Sequence, residues 1–387
     1  VSAARRAVTR LGAPVRAWGV SRLVALGLAV VVSLLFGAPE RGVDDAVPRA
    51  LAVLGGWDTV WYLDIARFGY DQASPLVGLV FTNPAFFPLL PGVMRAALEL
   101  GLNPFLVALV VVNAAWLAAL VALRRLTADR VGAAAGDRAV WVLALAPPAL
   151  YASLAYTEAI VVALAVGAAL AATRGWWPVA GLLAAAAALT RPPGILVAVL
   201  VVLLAVTADA PWPARLRRAA AGIVPAALAL GAFLVWMQVA RGSWRLPFDA
   251  QRAWARGQVG FGIVTDLPGE VQRIATSFGS LTPTAQWSAD IRDIGFTVVY
   301  VLLLVRLWRT DGGLRSPWVL YSGLALALPL SSGNVSSMAR FGLLAFPLAW
   351  AAADWIEEGG PRRRRVVLWA SLAVTVLLAL QLQIRSP

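Results

Sequence analysis

A chain with no histidine and no cysteine has few ways to do chemistry. Without imidazole or thiolate, acid and base work falls to carboxylates, tyrosine or water, and anions must be bound by arginine, which supplies all 33 basic side chains. Five residues stand out by type and place. Asp58 and Asp64 lie in WDTVWYLDIARFGYD (57–71), Glu158 in YASLAYTEA (151–159), Arg191 in TRPPGIL (190–196) and Arg340 in SSGNVSSMARF (331–341). Each has an ordinary explanation beside a chemical one. Asp58 is placed to cap the amide donors of a following helix, and Asp64 either binds a polar ligand or pairs on the surface with Arg67 at i+3. Glu158 either starts a helix or serves a site, while the arginines either snorkel to headgroups or offer several donors to a phosphate.

The first of these stretches must be held at a water boundary. At 100° per residue Trp57, Trp61, Ile65 and Phe68 share a narrow stripe, with Asp58, Tyr62 and Arg67 off it, which predicts a short interfacial helix that Gly69 ends. The rest of the chain supplies the membrane frame. Of its 387 residues 60% are hydrophobic, mean hydropathy is +0.77, and apolar runs approach the roughly 20 residues of a bilayer span. The net charge of +13 comes from short arginine clusters between those runs, a pattern of membrane orientation rather than of nucleic-acid binding. The Ala, Val, Gly and Arg usage suggests a GC-rich genome of the actinobacterial kind.

Read with arginine clusters inside, the basic N-terminus leads into a retained first span at about residues 18–38, whose poor cleavage signal argues against a signal peptide. Residues 85–98, broken by Pro88 and Pro91, read as a juxtamembrane or re-entrant helix, and 103–123 as the second span. Further spans are expected at 139–154, 157–173, 176–190, 194–208, 219–240, 290–308, 316–331, 338–356 and 364–384. The expected architecture is therefore all-α, a single integral membrane domain over 1–387 with about eleven transmembrane helices, N-terminus in and C-terminus out. Its outer segments are a first loop at 39–102, with juxtamembrane helices, and a second at 241–289. This topology puts Asp58, Asn83 to Pro91, Tyr156 to Glu158, Arg191 to Gly194 and Ser331 to Arg340 on one face. Span centres are nearly free of charge, which favours chemistry at a surface over a transporter or lipid flippase.

Taken together and in order, WDTVWYLDIARFGYD, NPAFFPLLP (83–91), YASLAYTEA, TRPPGIL and SSGNVSSMARF resemble the PIG-V family of mannosyltransferases, membrane enzymes of the GT-C class. The resemblance runs over nearly the whole chain. It implies an inverting transfer of a sugar, mannose in that family, from a polyprenyl-phosphate donor to a lipid, lipoglycan or protein acceptor outside the plasma membrane, with no cofactor. It makes Asp58 the expected catalytic base and assigns the donor phosphate to Arg340 and Arg191. Substrate contacts are expected from Tyr62, Asp64, Glu158, Asn334 and Ser337, and from Gln251 and Arg252 in QRAWARGQ (251–258), where Trp254 would sit at the interface. No Asp-x-Asp pair suggests a metal, and the Asp290/Asp293 spacing is of a kind common by chance. Thr59 stands where the family usually has Gly or Ser, and Pro193 where eukaryotic members tend to have Asn.

Overall fold

The computed structural model describes residues 3–37, 47–70, 83–253 and 285–384, with a few isolated positions between, and among them every regular element is a helix. The first half runs α1 (Ala3–Phe36), α2 (Arg49–Ala52), α3 (Asp58–Phe68), α4 (Leu89–Glu99), α5 (Pro104–Val131), α6 (Ala133–Leu145), α7 (Glu158–Thr173) and α8 (Trp177–Ala188). It continues with α9 (Leu196–Thr207), α10 (Trp212–Arg241), α11 (Leu246–Ala253), α12 (Ala285–Thr310), α13 (Pro317–Leu330), α14 (Met338–Phe341), α15 (Leu348–Glu358) and α16 (Gly360–Ile384).

The centre is built on α5. Asn103 caps it, its Oδ1 accepting the N–H of Phe105 and Leu106 at 3.0 and 3.1 Å, and Pro104 takes the first helical position where no amide is missed. Trp116, Leu120, Leu123 and Leu126 then fall on one wholly buried stripe. Helices α6 and α7 pack on either side of α5, and α8 joins α7 to α10. Small residues let these helices approach. A Cβ on Gly181 of α8 would lie 1.8 Å from the Ala221 carbonyl oxygen of α10, and one on Gly222 would lie 2.6 Å from Val201 Cγ1 of α9. Gly181→Ala is therefore expected to push α8 from α10 and cost about 1–3 kcal/mol. Thermal unfolding in detergent reads this directly, and an unchanged midpoint would contradict the close contact.

Large apolar side chains on the outside of α1, α10, α12 and α16, among them Leu34, Val239, Leu302 and Leu377, face away from the protein. Gly12–Phe36, Pro104–Val131, Trp212–Arg241 and Gly360–Gln381 are each long and apolar enough to cross a bilayer. A fifth candidate is the pair Pro147–Ser153 and Glu158–Thr173, bent by 104°. The chain is thus a multi-pass membrane protein.

Two expected spans are broken, and proline is the reason in both. The stretch 139–154 is helical only to Leu145. Pro148 follows Pro147, Ala146 before them is held extended at φ −59°, ψ 137°, and the chain continues as a 3-10 helix over Pro147–Ser153. The stretch 338–356 divides into α14, a 3-10 turn at Gly342–Leu344, and α15, with Pro347 at the new N-terminus. Both breaks lie where charged residues gather.

Candidate active site

Asp58 opens α3, but it does not cap it. The N-cap position falls to Trp57, no side chain accepts the free amides there, and the Asp58 carboxylate turns to the far end of the sequence instead. Arg340 Nη1 donates to Asp58 Oδ2 at 2.5 Å, across 282 positions, and lies 3.6 Å from Glu158 Oε1. Arg191 Nη1 closes the set, 2.5 Å from the same Glu158 oxygen. Two carboxylates and two guanidiniums, with side chains at most 11% exposed, thus form one chain of opposite charges. Phe341 carries Arg191 on its ring at 4.8 Å and Arg340 at 5.3 Å, so an aromatic face supports both cations.

Each member is delivered by an irregular piece of backbone. Trp57 has φ 57° and ψ −112°, an unusual conformation for a bulky side chain, and it directly precedes Asp58. The 54–59 segment is tied to the 155–158 segment by Ala155 N–H donating to the Leu54 carbonyl at 3.1 Å and Thr59 Oγ1 donating to the Ala155 carbonyl at 3.3 Å. Thr59 thus uses its hydroxyl structurally. Glu158 begins α7 just beyond the proline-broken turn. Arg22 of α1 steadies that turn, its Nη1 donating to the Ala152 carbonyl at 2.8 Å and to Asn113 Oδ1 at 3.0 Å. Arg191 precedes Pro192 and is extended at φ −169°, ψ 159°. Gly194 lets this corner fold back, since a Cβ there would lie 1.9 Å from the Ala187 carbonyl oxygen.

The Arg340 segment is held hardest of all. Ser337 adopts φ 63°, and with Trp57 it is the second non-glycine residue of positive φ among the described residues. Both flank the Asp58–Arg340 pair. Asp293 of α12 accepts the N–H of Ser337 at 2.9 Å and of Ala339 at 3.1 Å, and Tyr300 donates its hydroxyl to the Ala339 carbonyl at 2.9 Å. The sequence offered Asp293 only as half of an Asp290/Asp293 spacing of a kind common by chance, because its partners are backbone amides 44 and 46 positions away.

The remaining expected contacts fall into separate roles. Tyr62 is buried beside the charges and shares a hydrogen bond with Thr157 Oγ1 at 3.3 Å; burial, then the neighbouring Asp58 charge, pushes its phenol well above the ordinary range, so it stays protonated. Asp64 is no surface partner of Arg67: it is buried, and Asn83 Nδ2 donates to it at 3.0 Å and to the Gly69 carbonyl at 3.3 Å. Gly69 ends α3 at φ 70°, as its position suggested. Eight residues of this helix are buried, so its aromatic stripe does not simply lie on lipid: Trp61 stacks on Phe86 at 5.8 Å, and Trp57 and Phe68 are the exposed ends. Gln251 donates to the Ala85 carbonyl at 2.8 Å and thereby braces the turn at Asn83–Ala85, while Arg252 is exposed and lies 3.5 Å from Asp249. Asn334 accepts the N–H of Ser336 within its own turn. Trp254 lies outside the described residues.

A narrow cleft with room for little more than a water molecule opens beside the charges, lined by Glu158, Arg191 and Arg340 and by apolar side chains of α7, α13 and the 341–344 turn. The arrangement combines a carboxylate able to take a proton, cations able to hold an anion, and apolar walls.

No protein-family model matches this sequence, and no curated protein matches it. Among solved structures, the chain is similar to the oligosaccharyltransferase of Archaeoglobus fulgidus in its apo form, with a TM-score of 0.52 and 13% identity over 95% of this chain and 54% of that one. It is also similar to the archaeal oligosaccharyltransferase of the same organism in complex with an inhibitory peptide and a dolichol-phosphate, at a TM-score of 0.48 and 12% identity with the same coverage. The chain spans about half the length of those enzymes. What the first likeness establishes is the fold, a polytopic helical architecture of GT-C type.

Proposed function

We propose that this protein is an inverting GT-C glycosyltransferase that moves a sugar from a polyprenyl-phosphate donor to a hydroxyl of a lipid, lipoglycan or protein acceptor. The observation that carries the reading is the convergence of Asp58, Glu158, Arg191 and Arg340, drawn from four separate sequence motifs, into one buried charge cluster. The fold shared with an oligosaccharyltransferase agrees with it. Mannose as the sugar and a PIG-V-like kinship rest on the motif resemblance, a bacterial source on that resemblance together with composition, and the placement of the site outside the plasma membrane on the distribution of the arginine clusters between apolar runs.

The chemistry follows from the residues. Asp58 takes the proton of the acceptor hydroxyl, whose oxygen forms a bond to the anomeric carbon from the face opposite the phosphate. The bond between that carbon and the phosphate oxygen breaks with both electrons on the phosphate, and the configuration inverts. Arg340 and Arg191 hold the departing charge. Because Asp58 and Arg340 neutralise one another at rest, a donor phosphate that engages Arg340 also frees the base. Donor binding and base activation are therefore one event.

The test is transfer in membranes supplied with radiolabelled polyprenyl-phosphate mannose, with the anomeric configuration of the product read by NMR. Label in a lipid or protein fraction with inverted configuration supports the reading. Retention of configuration rejects the mechanism, and no transfer from mannose or other polyprenyl-phosphate sugars rejects the function in favour of a transporter or flippase.

A further inference from the structure

Arg340 reaches Asp58 only because the backbone from Ser337 to Phe341 takes a shape that its sequence would not choose. Ser337 sits in the left-handed region without being glycine, and α14 is a helix of only four residues. Such a turn persists where surrounding groups over-determine it. Here the surrounding group is a carboxylate on another helix. Asp293 is 2% exposed, and each of its oxygens accepts one amide of the turn, Oδ2 from Ser337 and Oδ1 from Ala339. Arg292 Nη2, at 2.7 Å from Oδ2, neutralises it, and Arg292 Nη1 reaches Gln381 of α16 at 3.4 Å. The Tyr300 hydroxyl on the Ala339 carbonyl adds a third tie from α12. Gly342 then passes the Tyr300 ring so closely that a Cβ would lie 2.0 Å from a ring carbon.

We infer that Asp293 is a positioning residue of this enzyme: it holds the 337–339 amides so that Arg340 projects between Asp58 and Glu158. The proposal rests on the function set out above for its consequence, donor-phosphate capture, but its structural content is independent of it. Asp293 touches none of the four charged groups through its own side chain among the contacts described, so it acts through the turn. An asparagine has a single carbonyl oxygen in place of two. It would lose at least one of the two amide bonds, turn an amide group toward a donor, and leave the buried Arg292 without its charge partner.

The experiment follows Arg340 itself. Arginine-specific labelling with phenylglyoxal, read by mass spectrometry at residue 340, is compared in wild type, Asp293→Asn and Tyr300→Phe at matched purity in nanodiscs. Arg130, which pairs with Asp311 between the rings of Trp318 and Trp350, serves as the internal control for global unfolding. In Asp293→Asn the labelling of Arg340 is expected to rise roughly tenfold, with Arg130 unchanged, and Tyr300→Phe to raise it by a smaller factor. Wild-type labelling of Arg340 in both variants overturns the proposal. Should Asp293→Asn fail to fold, Tyr300→Phe decides alone, a rise at Arg340 supporting and no change overturning it.

Binding of undecaprenyl phosphate to Asp293→Asn, Arg340→Gln and the double variant then reads the consequence. Losses that do not add, the double being no weaker than Arg340→Gln, place Asp293 on the path through Arg340; additive losses overturn that. Undecaprenyl phosphate that binds wild type no better than Arg340→Gln sinks the donor-site reading, while the labelling result still decides the role of Asp293.

Discussion

Asp58→Asn is expected to lower sugar transfer by about 10²–10⁴-fold while leaving the protein folded and its donor affinity undiminished. The substitution keeps the shape of the side chain and removes the charge that accepts a proton. It also removes the anion nearest Arg340, which on the proposed function would compete with a donor phosphate for the same guanidinium. Turnover should therefore collapse while KM for the donor falls or stays level, a split that loss of a merely structural ion pair would not produce. The measurement is transfer rate against donor concentration at matched expression, with binding of undecaprenyl phosphate in parallel. Full activity in the variant would remove Asp58 from the chemistry and make Glu158 the carboxylate to test.

That split was not visible from the sequence, although its participants were. Asp58 and Glu158 could be picked out through the motif resemblance, and Arg191 and Arg340 because each sits at a span end opposite the prevailing arginine clusters. Their pairing could not, since the partners are separated by up to 282 positions and no local window contains both. The same limit explains the cap weighed for Asp58 as the alternative to a base: seen alone, an aspartate before a helix has no better partner than the free amides, and only the fold brings Arg340. The surface pair weighed for Asp64 fails for the same reason. Its nearest charge in sequence is Arg67, but the fold brings it Asn83 from 19 positions away.

Helices were legible to the extent that apolar length defines them, so the long runs of α5, α10 and α16 emerged close to their expected places. The breaks were written in prolines whose force is local, at Pro147–Pro148 and Pro347, inside runs whose hydropathy alone reads as continuous. Polar residues that act on backbone are the least legible class. Asp293 and Tyr300 do their work on amides and carbonyls, which every sequence has, and Arg22 does the same on the carbonyls of the 147–153 turn.

Glu158→Gln is expected to be the most destabilising change in the cluster, by about 3–5 kcal/mol, because it breaks a buried pair and leaves the other charge behind. Glu158 stands between both arginines, at 2.5 Å from Arg191 and 3.6 Å from Arg340, whereas Asp58 meets Arg340 alone. Removing its charge takes away the one carboxylate of the cluster that lies near both guanidiniums. Arg191→Gln placed on top of Glu158→Gln restores neutrality, with Asp58 and Arg340 still paired, and should therefore recover part of the lost stability. Unfolding of the two single variants and the double in detergent completes the cycle. A double variant more stable than Glu158→Gln shows that charge balance holds the site closed; losses that add would mean that the two residues are stabilised separately, and that the cluster is no single electrostatic unit. The balance also bears on donor binding, since a phosphate brings a further negative charge into a neutral set. On the proposed function, that charge is accommodated when Asp58, bonded to one guanidinium, releases Arg340.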